Sequence, residues 1–460
     1  MKKTPLYIGI EIKVREFEPK LFLACVAAEA GYDVILGQQR IFKRKLPDMP
    51  RGIYLDKSAA ASKADRHREL KQLGFRVVAG DEEGLAFFQV EEYKKRRLAI
   101  ETLQAVEYFF AWGTRHAEIV KERVPDLQEK VKVTGHPRID LTRPEIRNFY
   151  AEEAEQIRQR YGKFLLINTN FSFCNHARGK DVAIDVLARG GKIADEAHRQ
   201  YYLNLRAHKQ HICDEFVTMI KAMHQRFLDT LIIIRPHPAE NHDFWRQILP
   251  DTQTVQVVHE GNVHPWLMAA EVTIHNSCTT GIEAYLLDRP VIAYQPIQAE
   301  EFDIYLANAL SEQTFTLESL LEKLEQILQH TWNPDAEAVR ERRKIAQYYM
   351  HSLKGPLASE RIVAELQSLP LRNSWQITAY RSYAQCKKLA RKILKPQIFR
   401  TASEEQSSET GIKTQYIQQK FPGLTLEEIQ QTMAMLRKVT GRFSTLHVTQ
   451  LEENMFLISQ

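Results

Sequence analysis

Short apolar runs, each closed by small or polar residues, alternate with segments of helical spacing along most of the chain. In the first part, YIGIEI, YDVILG, GIYLDK, FRVVAGD, YFFAWG and KVTGHP predict strands, with helical segments between most of them. The first of those helices is PKLFLACVAAEAG, with Gly31 suited to stop it. A second series starts at KFLLINTN and passes through a long helical region at Ala194–Phe227. It continues with LIIIRPHP, VQVVHE, EVTIHN and PVIAYQP as strands, and Thr316–His330 and Pro334–His351 as closing helices. Strands that alternate with helices argue for parallel sheets covered on both faces. The expected fold is therefore α/β: two Rossmann-like domains facing a cleft, plus a mainly helical C-terminal extension. The expected division is residues 1–142, a charged linker at 143–160, a second domain at 161–368 and a basic extension at 369–460.

Length and composition agree with this division. A chain of 460 residues exceeds one ordinary core, and 44% apolar with 26% charged residues is ordinary for a globular protein. No apolar run approaches a membrane span, and Glu11 interrupts the apolar stretch near the N-terminus, so no secretory signal is expected. The five cysteines are scattered without a Cys-x-x-Cys pair, which suits reduced thiols in the cytoplasm. A net charge of +5 does not call for nucleic acid. The positive charge is concentrated locally at 381–400, where Arg381, Lys387, Lys388, Arg391, Lys392, Lys395 and Arg400 stand without an acidic residue. Such a basic amphipathic segment either lies on an anionic membrane surface or packs as a solvated helix. Beyond it, TLEEIQQTMAMLRKVTG reads as a helix and MFLIS as a possible strand.

The chemistry-bearing residues cluster where predicted strands end, which is where open parallel sheets bind ligands. Arg235-Pro236-His237-Pro238 follows four aliphatic residues, and the flanking prolines stiffen a loop whose imidazole and guanidinium could hold a phosphate. In HNSCTTGIEAYLL, Ser277, Thr279, Thr280 and Gly281 precede a helix, a position that serves equally as an N-cap and as an anion site. Glu283 in the first turn could reach a ribose or simply complement the helix dipole. Asn168-Thr169-Asn170 could hydrogen-bond a sugar or its carboxylate, or cap a helix. Asp81, Glu82 and Glu83, followed by Gly84, offer carboxylates for base or nucleophile work, or form a solvated turn. Gly135-His136-Pro137 reads as a sharp exit turn, with Asp140 just beyond it.

Other classes recede. There is no Asp-x-Asp pair to hold a metal on a nucleotide diphosphate, no phosphate-binding Gly-x-x-x-x-Gly-Lys loop, no Gly-x-Gly-x-x-Gly and no His-Glu-x-x-His.

Taken together, Glu82-Glu83-Gly84, His237-Pro238 and Ser277-Cys278-Thr279 resemble, in the same order, the three short motifs of bacterial sialyltransferases and their relatives. The wider set GDEEGL, GHPRID, NTNF, RPHP and NSCTTGIEAYLLDRPV resembles the surface-polysaccharide glycosyltransferases related to the Kdo transferases of capsule and O-antigen assembly. This resemblance spans roughly residues 5–365 and departs from the pattern at Cys278, where a hydroxyl is usual. It implies a GT-B architecture and a metal-independent transfer of an acidic 2-keto sugar, Kdo or a nonulosonic acid, from a CMP donor, without a further cofactor. The acceptor would be a surface polysaccharide or lipid-linked glycan at the cytoplasmic face of the membrane. It further implies His237 on the phosphate, Ser277, Thr279 and Thr280 on the phosphate or sugar carboxylate, and Glu82 or Glu83 as acceptor-side base. In a retaining reaction, Asp81 and Asp140 join the candidates for nucleophile. A CDP-polyol phosphotransferase, a UDP-sugar epimerase and a non-catalytic scaffold of an assembly complex are the competing expectations.

Overall fold

The computed structural model describes residues 3–179, 181–189, 193–250, 252–370 and 420–460. The basic segment at 381–400, expected to touch a membrane, lies outside the described residues. Among the described residues, no helix is long and apolar enough to cross a membrane.

The chain forms two α/β units. One comprises residues 1–84, 90–141 and 348–460; the other comprises 85–89 and 142–347. In the first, strands β1 (Pro5–Ile10), β2 (Asp33–Gln38), β3 (Ile53–Asp56), β4 (Arg76–Ala79), β5 (Phe109–Ala111) and β6 (Val131–Val133) are parallel, in the order β2-β1-β3-β4-β5-β6. The chain leaves β1 toward one side and returns on the other, so β1 and β3 flank this sheet's topological switch point.

The second unit holds a six-stranded parallel sheet. Its strands are β7 (Phe164–Asn168), β8 (Leu231–Arg235), β9 (Val255–Val257), β10 (Val272–His275), β11 (Val291–Tyr294) and β12 (Glu312–Thr314). Their order, β9-β8-β7-β10-β11-β12, is that of the dinucleotide-binding doubly wound sheet, with the switch point between β7 and β10. The continuous apolar runs follow from burial on both faces. Leu165, Ile167, Ile232 and Ile234 pack with Ile212, Phe216 and Met219 of the helix Glu196–Arg226. The alternate positions Phe164, Leu166 and Ile233 pack on the other face with Trp266 and Leu267.

The chain rejoins the first unit at Tyr348, earlier than the expected boundary near 368. Ser352 Oγ donates to Thr134 O at 2.8 Å, and the buried Asp140 carboxylate takes Ala358 N and Ser359 N at 2.7 and 2.8 Å. Asp140 thus sits on the positive end of the helix Ala358–Gln367, a pairing that no local pattern in the sequence reveals. After the undescribed stretch, the expected helix forms as Leu426–Thr440, and MFLIS forms β14 (Met455–Ser459). A strand not anticipated, β13 (His447–Glu452), pairs with β14, and β14 pairs antiparallel with β2. The end of the chain therefore extends the first sheet to eight strands. The outer strand β13 is polar and mostly exposed, as suits a sheet edge.

Candidate functional sites at the two switch points

The loops after β7 and β10 meet at the switch point of the second sheet. Asn170 Nδ2 donates to Ser277 O at 3.4 Å, joining the loops directly. Asn168, the last residue of β7, lies in register with His275 of β10. It is buried, and its Nδ2 donor has no hydrogen-bond partner. A buried amide left without an acceptor is costly and calls for an explanation.

Ser277 turns the chain from β10 into the helix Thr279–Leu286 with φ of +46°. A serine in this left-handed region is held there by its surroundings. Its backbone N–H donates to Asn308 Oδ1 at 3.0 Å, and its hydroxyl donates to Asp303 Oδ1 at 3.2 Å while accepting from Asn308 Nδ2 at 3.1 Å. The neighbouring Asn276 accepts from Lys209 Nζ at 3.3 Å and donates to Tyr294 O at 2.9 Å. Lys209 is only 2% exposed and lies 3.9 Å from Asp303; burial pulls its ammonium below the usual lysine range. Ser277 itself is fully buried. The hydroxyl expected on phosphate is thus engaged with Asp303 and Asn308, and Thr280 Oγ1 donates to Cys278 Sγ at 3.1 Å, while Thr279 remains partly exposed in the first turn.

Gly281 has a packing reason to be glycine. A Cβ there would stand 2.2 Å from His275 Nε2, inside any permissible contact. His275 is wholly buried, and burial lowers its pKa to about 3, so the ring is neutral. Its Nδ1 accepts from Cys278 N at 3.4 Å, which places the proton on Nε2, directed at Ser311 Oγ 2.8 Å away. Glu283 is buried, 3.9 Å from His264 Nε2, and His264 stacks on Tyr150.

Arg235, expected on phosphate, is instead turned into the protein. Its two terminal nitrogens donate to Glu260 O and Gly261 O at 2.7 Å each, and its guanidinium lies over Trp266. Burial lowers its pKa to about 10. His237 and Pro238 are exposed. His237 Nδ1 accepts from Ala239 N at 3.2 Å, so the neutral ring carries its proton on Nε2. Behind this loop is Glu240, which sequence reasoning missed. It is 2% exposed and accepts from Thr169 Oγ1, Phe171 N and Trp245 Nε1 at 2.9 Å and from His237 N at 3.2 Å. Burial raises its pKa, against the opposing pull of these donors. The only signal for it was an acid two residues beyond a His-Pro pair, which is a weak one.

In the first unit the acidic triplet follows β4 and separates into three environments. Asp81 is buried, holds Arg97 by both carboxylate oxygens and accepts from Tyr93 OH at 2.8 Å. Glu82 is 5% exposed, 3.1 Å from Lys20 Nζ and 3.5 Å from His136 Nε2. Burial alone would raise its pKa, but Lys20 foremost, with His136, Arg138 and Arg15, holds it well below the usual carboxylate range. Glu83 is half-exposed and pairs with Arg15 at 2.8 Å. Gly84 packs where a Cβ would meet His116 at 2.5 Å and Trp112 at 2.6 Å, so the glycine that follows the triplet is required by packing. Lys20 also binds Glu16 at 2.7 Å and Gly9 O at 2.8 Å, and Lys57 reaches Glu16 and Glu11 at 3.1 and 2.8 Å. These charges gather at the carboxyl ends of β1 and β3, the switch point of that sheet. The i,i+4 spacing of Glu16 and Lys20, just before the apolar run Leu21–Ala28 of the same helix, was the available signal.

No protein-family model matches this chain, and no curated protein matches it. Among solved structures it is similar to the UDP-GlcNAc 2-epimerase from Methanocaldococcus jannaschii, at 14% identity over 80% of this chain and 99% of that chain, with a TM-score of 0.48. A putative UDP-N-acetylglucosamine 2-epimerase from Listeria monocytogenes gives 13% identity, 80% and 96% coverage and 0.49. The wall teichoic acid polymerase TagF gives 12%, 82% and 89%, and 0.47. At these values no function passes from those proteins to this one.

Proposed function

We propose that this chain is a glycosyltransferase that moves an acidic 2-keto sugar, Kdo or a nonulosonic acid, from its CMP donor to a surface polysaccharide or lipid-linked glycan. The observation that carries the reading is the switch point of the second sheet. There the buried, unpartnered Nδ2 of Asn168 lies at the end of β7, in register with the strand that leads into the helix Thr279–Leu286. An orphaned donor together with the positive end of a helix suits a bound anion. The three motifs behind the resemblance all follow strand ends, after β4, β8 and β10.

In this mechanism the positive end of the helix and the Thr279 hydroxyl hold the donor phosphate or the sugar carboxylate, and Asn168 and Asn170 hold the sugar. His237, carrying its proton on Nε2, donates a hydrogen bond to the phosphate as CMP leaves. Fixed donors of this kind neutralise a leaving phosphate through preorganised dipoles. In an inverting transfer Glu83 takes the acceptor proton, because it alone of the triplet is half-exposed. Asp81, Glu82 and Asp140 are each buried in ion pairs or hydrogen bonds, which leaves them poorly suited as nucleophiles.

The test is a transfer assay with CMP-Kdo and CMP-nonulosonates on glycan acceptors, in wild type and His237→Ala. The expected result is transfer by wild type and at least a hundredfold loss in the variant at unchanged melting temperature, as for loss of a preorganised donor to the departing oxyanion. Turnover of CDP-polyols or UDP-sugars alone would replace this reading with a phosphotransferase or an epimerase.

A further inference from the structure

We infer that Glu240 is a positioning residue that holds His237 and the Asn168–Asn170 loop in one fixed relation. The inference rests on the reading above, in which both elements meet the donor. Four groups converge on this one carboxylate, and each presents a hydrogen: Thr169 Oγ1, Phe171 N, His237 N and Trp245 Nε1. Two of them belong to the loop after β7, one to the loop after β8, and one to the helix His242–Arg246 behind. Further backbone bonds tie the same two loops: Ala177 N to Ala239 O and Asn241 N to Asn175 O, both at 2.9 Å. Asn170 carries the frame on to Ser277 at the third loop.

Only an acceptor on both oxygens satisfies this set. A glutamine of the same shape would turn its NH2 either at Phe171 N and His237 N or at Trp245 Nε1, in both cases donor against donor. A buried donor left facing another donor loses its hydrogen bond and opens the contact. Glu240 lies behind the loops, itself 2% exposed, so it acts through His237 and Asn170.

The test compares the full-length chain with Glu240→Gln by hydrogen exchange and by CMP titration. Expected are at least tenfold faster exchange at 169–171 and 237–241 with β7 and β8 unchanged, and about tenfold weaker CMP binding. In a His237→Ala background the same substitution should weaken CMP by about threefold rather than tenfold, because only the route through the Asn170 loop remains. If Glu240→Gln does not fold, Thr169→Val removes a single donor and should give the same local exchange pattern. Unchanged exchange in both loops overturns the inference, as does a tenfold loss that persists without His237. Should wild type bind no CMP, the proposed function falls and the exchange result alone decides the role of Glu240.

Discussion

Gly281→Ala should destabilise the second unit through a single contact. The added Cβ would meet His275 Nε2 at 2.2 Å, Cε1 at 2.6 Å and Cδ2 at 2.8 Å. The ring has no room to retreat, because it is fully buried and its Nε2–H is committed to Ser311 Oγ, which itself donates to Ala307 O at 2.8 Å. Forcing a methyl into such a site costs about 1–3 kcal/mol. Breaking the buried ring hydrogen bond adds about 1–3 kcal/mol. A sum near 3 kcal/mol would lower the melting temperature of a unit of this size by about 6–12 °C. Scanning calorimetry of wild type, Gly281→Ala, His275→Ala and the double variant reads the effect and its cause. The double variant should lose about 1–3 kcal/mol less than the sum of the single ones, since removing the ring makes room for the methyl. A Gly281→Ala protein as stable as wild type, or strictly additive losses, would refute the argument.

Lys20→Met should cost about 3–5 kcal/mol in urea unfolding, because it leaves Glu82 buried without its lysine and Glu16 with Lys57 alone; a loss under 1 kcal/mol would contradict this. Arg235→Lys should cost about 2 kcal/mol by surrendering the paired contacts to Glu260 O and Gly261 O, and change CMP affinity less than threefold. A large affinity loss at unchanged stability would instead return Arg235 to the phosphate. Acid should destabilise the chain early. His116, His136 and His275 have folded-state pKa values lowered to about 3 by burial, against 6.5 in the unfolded chain. The unfolded state then binds more protons between those values, so stability is fully present above pH 6.5 and falls as pH drops toward 3, by up to about 1.4 kcal/mol per pH unit for each ring. A urea midpoint that stays flat from pH 6.5 to 5 would contradict it.

The alternation of apolar runs and helical segments was legible because strands buried on both faces leave continuous aliphatic runs, as in LIIIR and FLLIN. Ends such as NTN, RPHP and HNSCTT were legible because polar residues must follow where buried strands stop. What these residues do was less legible. Arg235 and Ser277 have the right chemistry for phosphate, yet carbonyls and an Asp–Asn pair far along the chain take up their donors. Lys209, Asp303 and Asn308 complete the frame around Ser277 from positions that carry no local signal. The glycines of EEG and TTG read as turn or phosphate residues, whereas their reason is a side chain packed against them, which only tertiary contact reveals. The sheet-forming hairpin at the chain end escaped for the same reason: β13 is polar and gains its place from β14.

Whether the second switch point holds a CMP-linked anion is decided by a thermal-shift titration of the full chain against CMP, CDP, UDP and ADP in EDTA. CMP should stabilise the chain by about 2.7 kcal/mol at a hundredfold excess over Kd, and by less in His237→Ala. A response confined to UDP or CDP, or to no nucleotide at all, would contradict it.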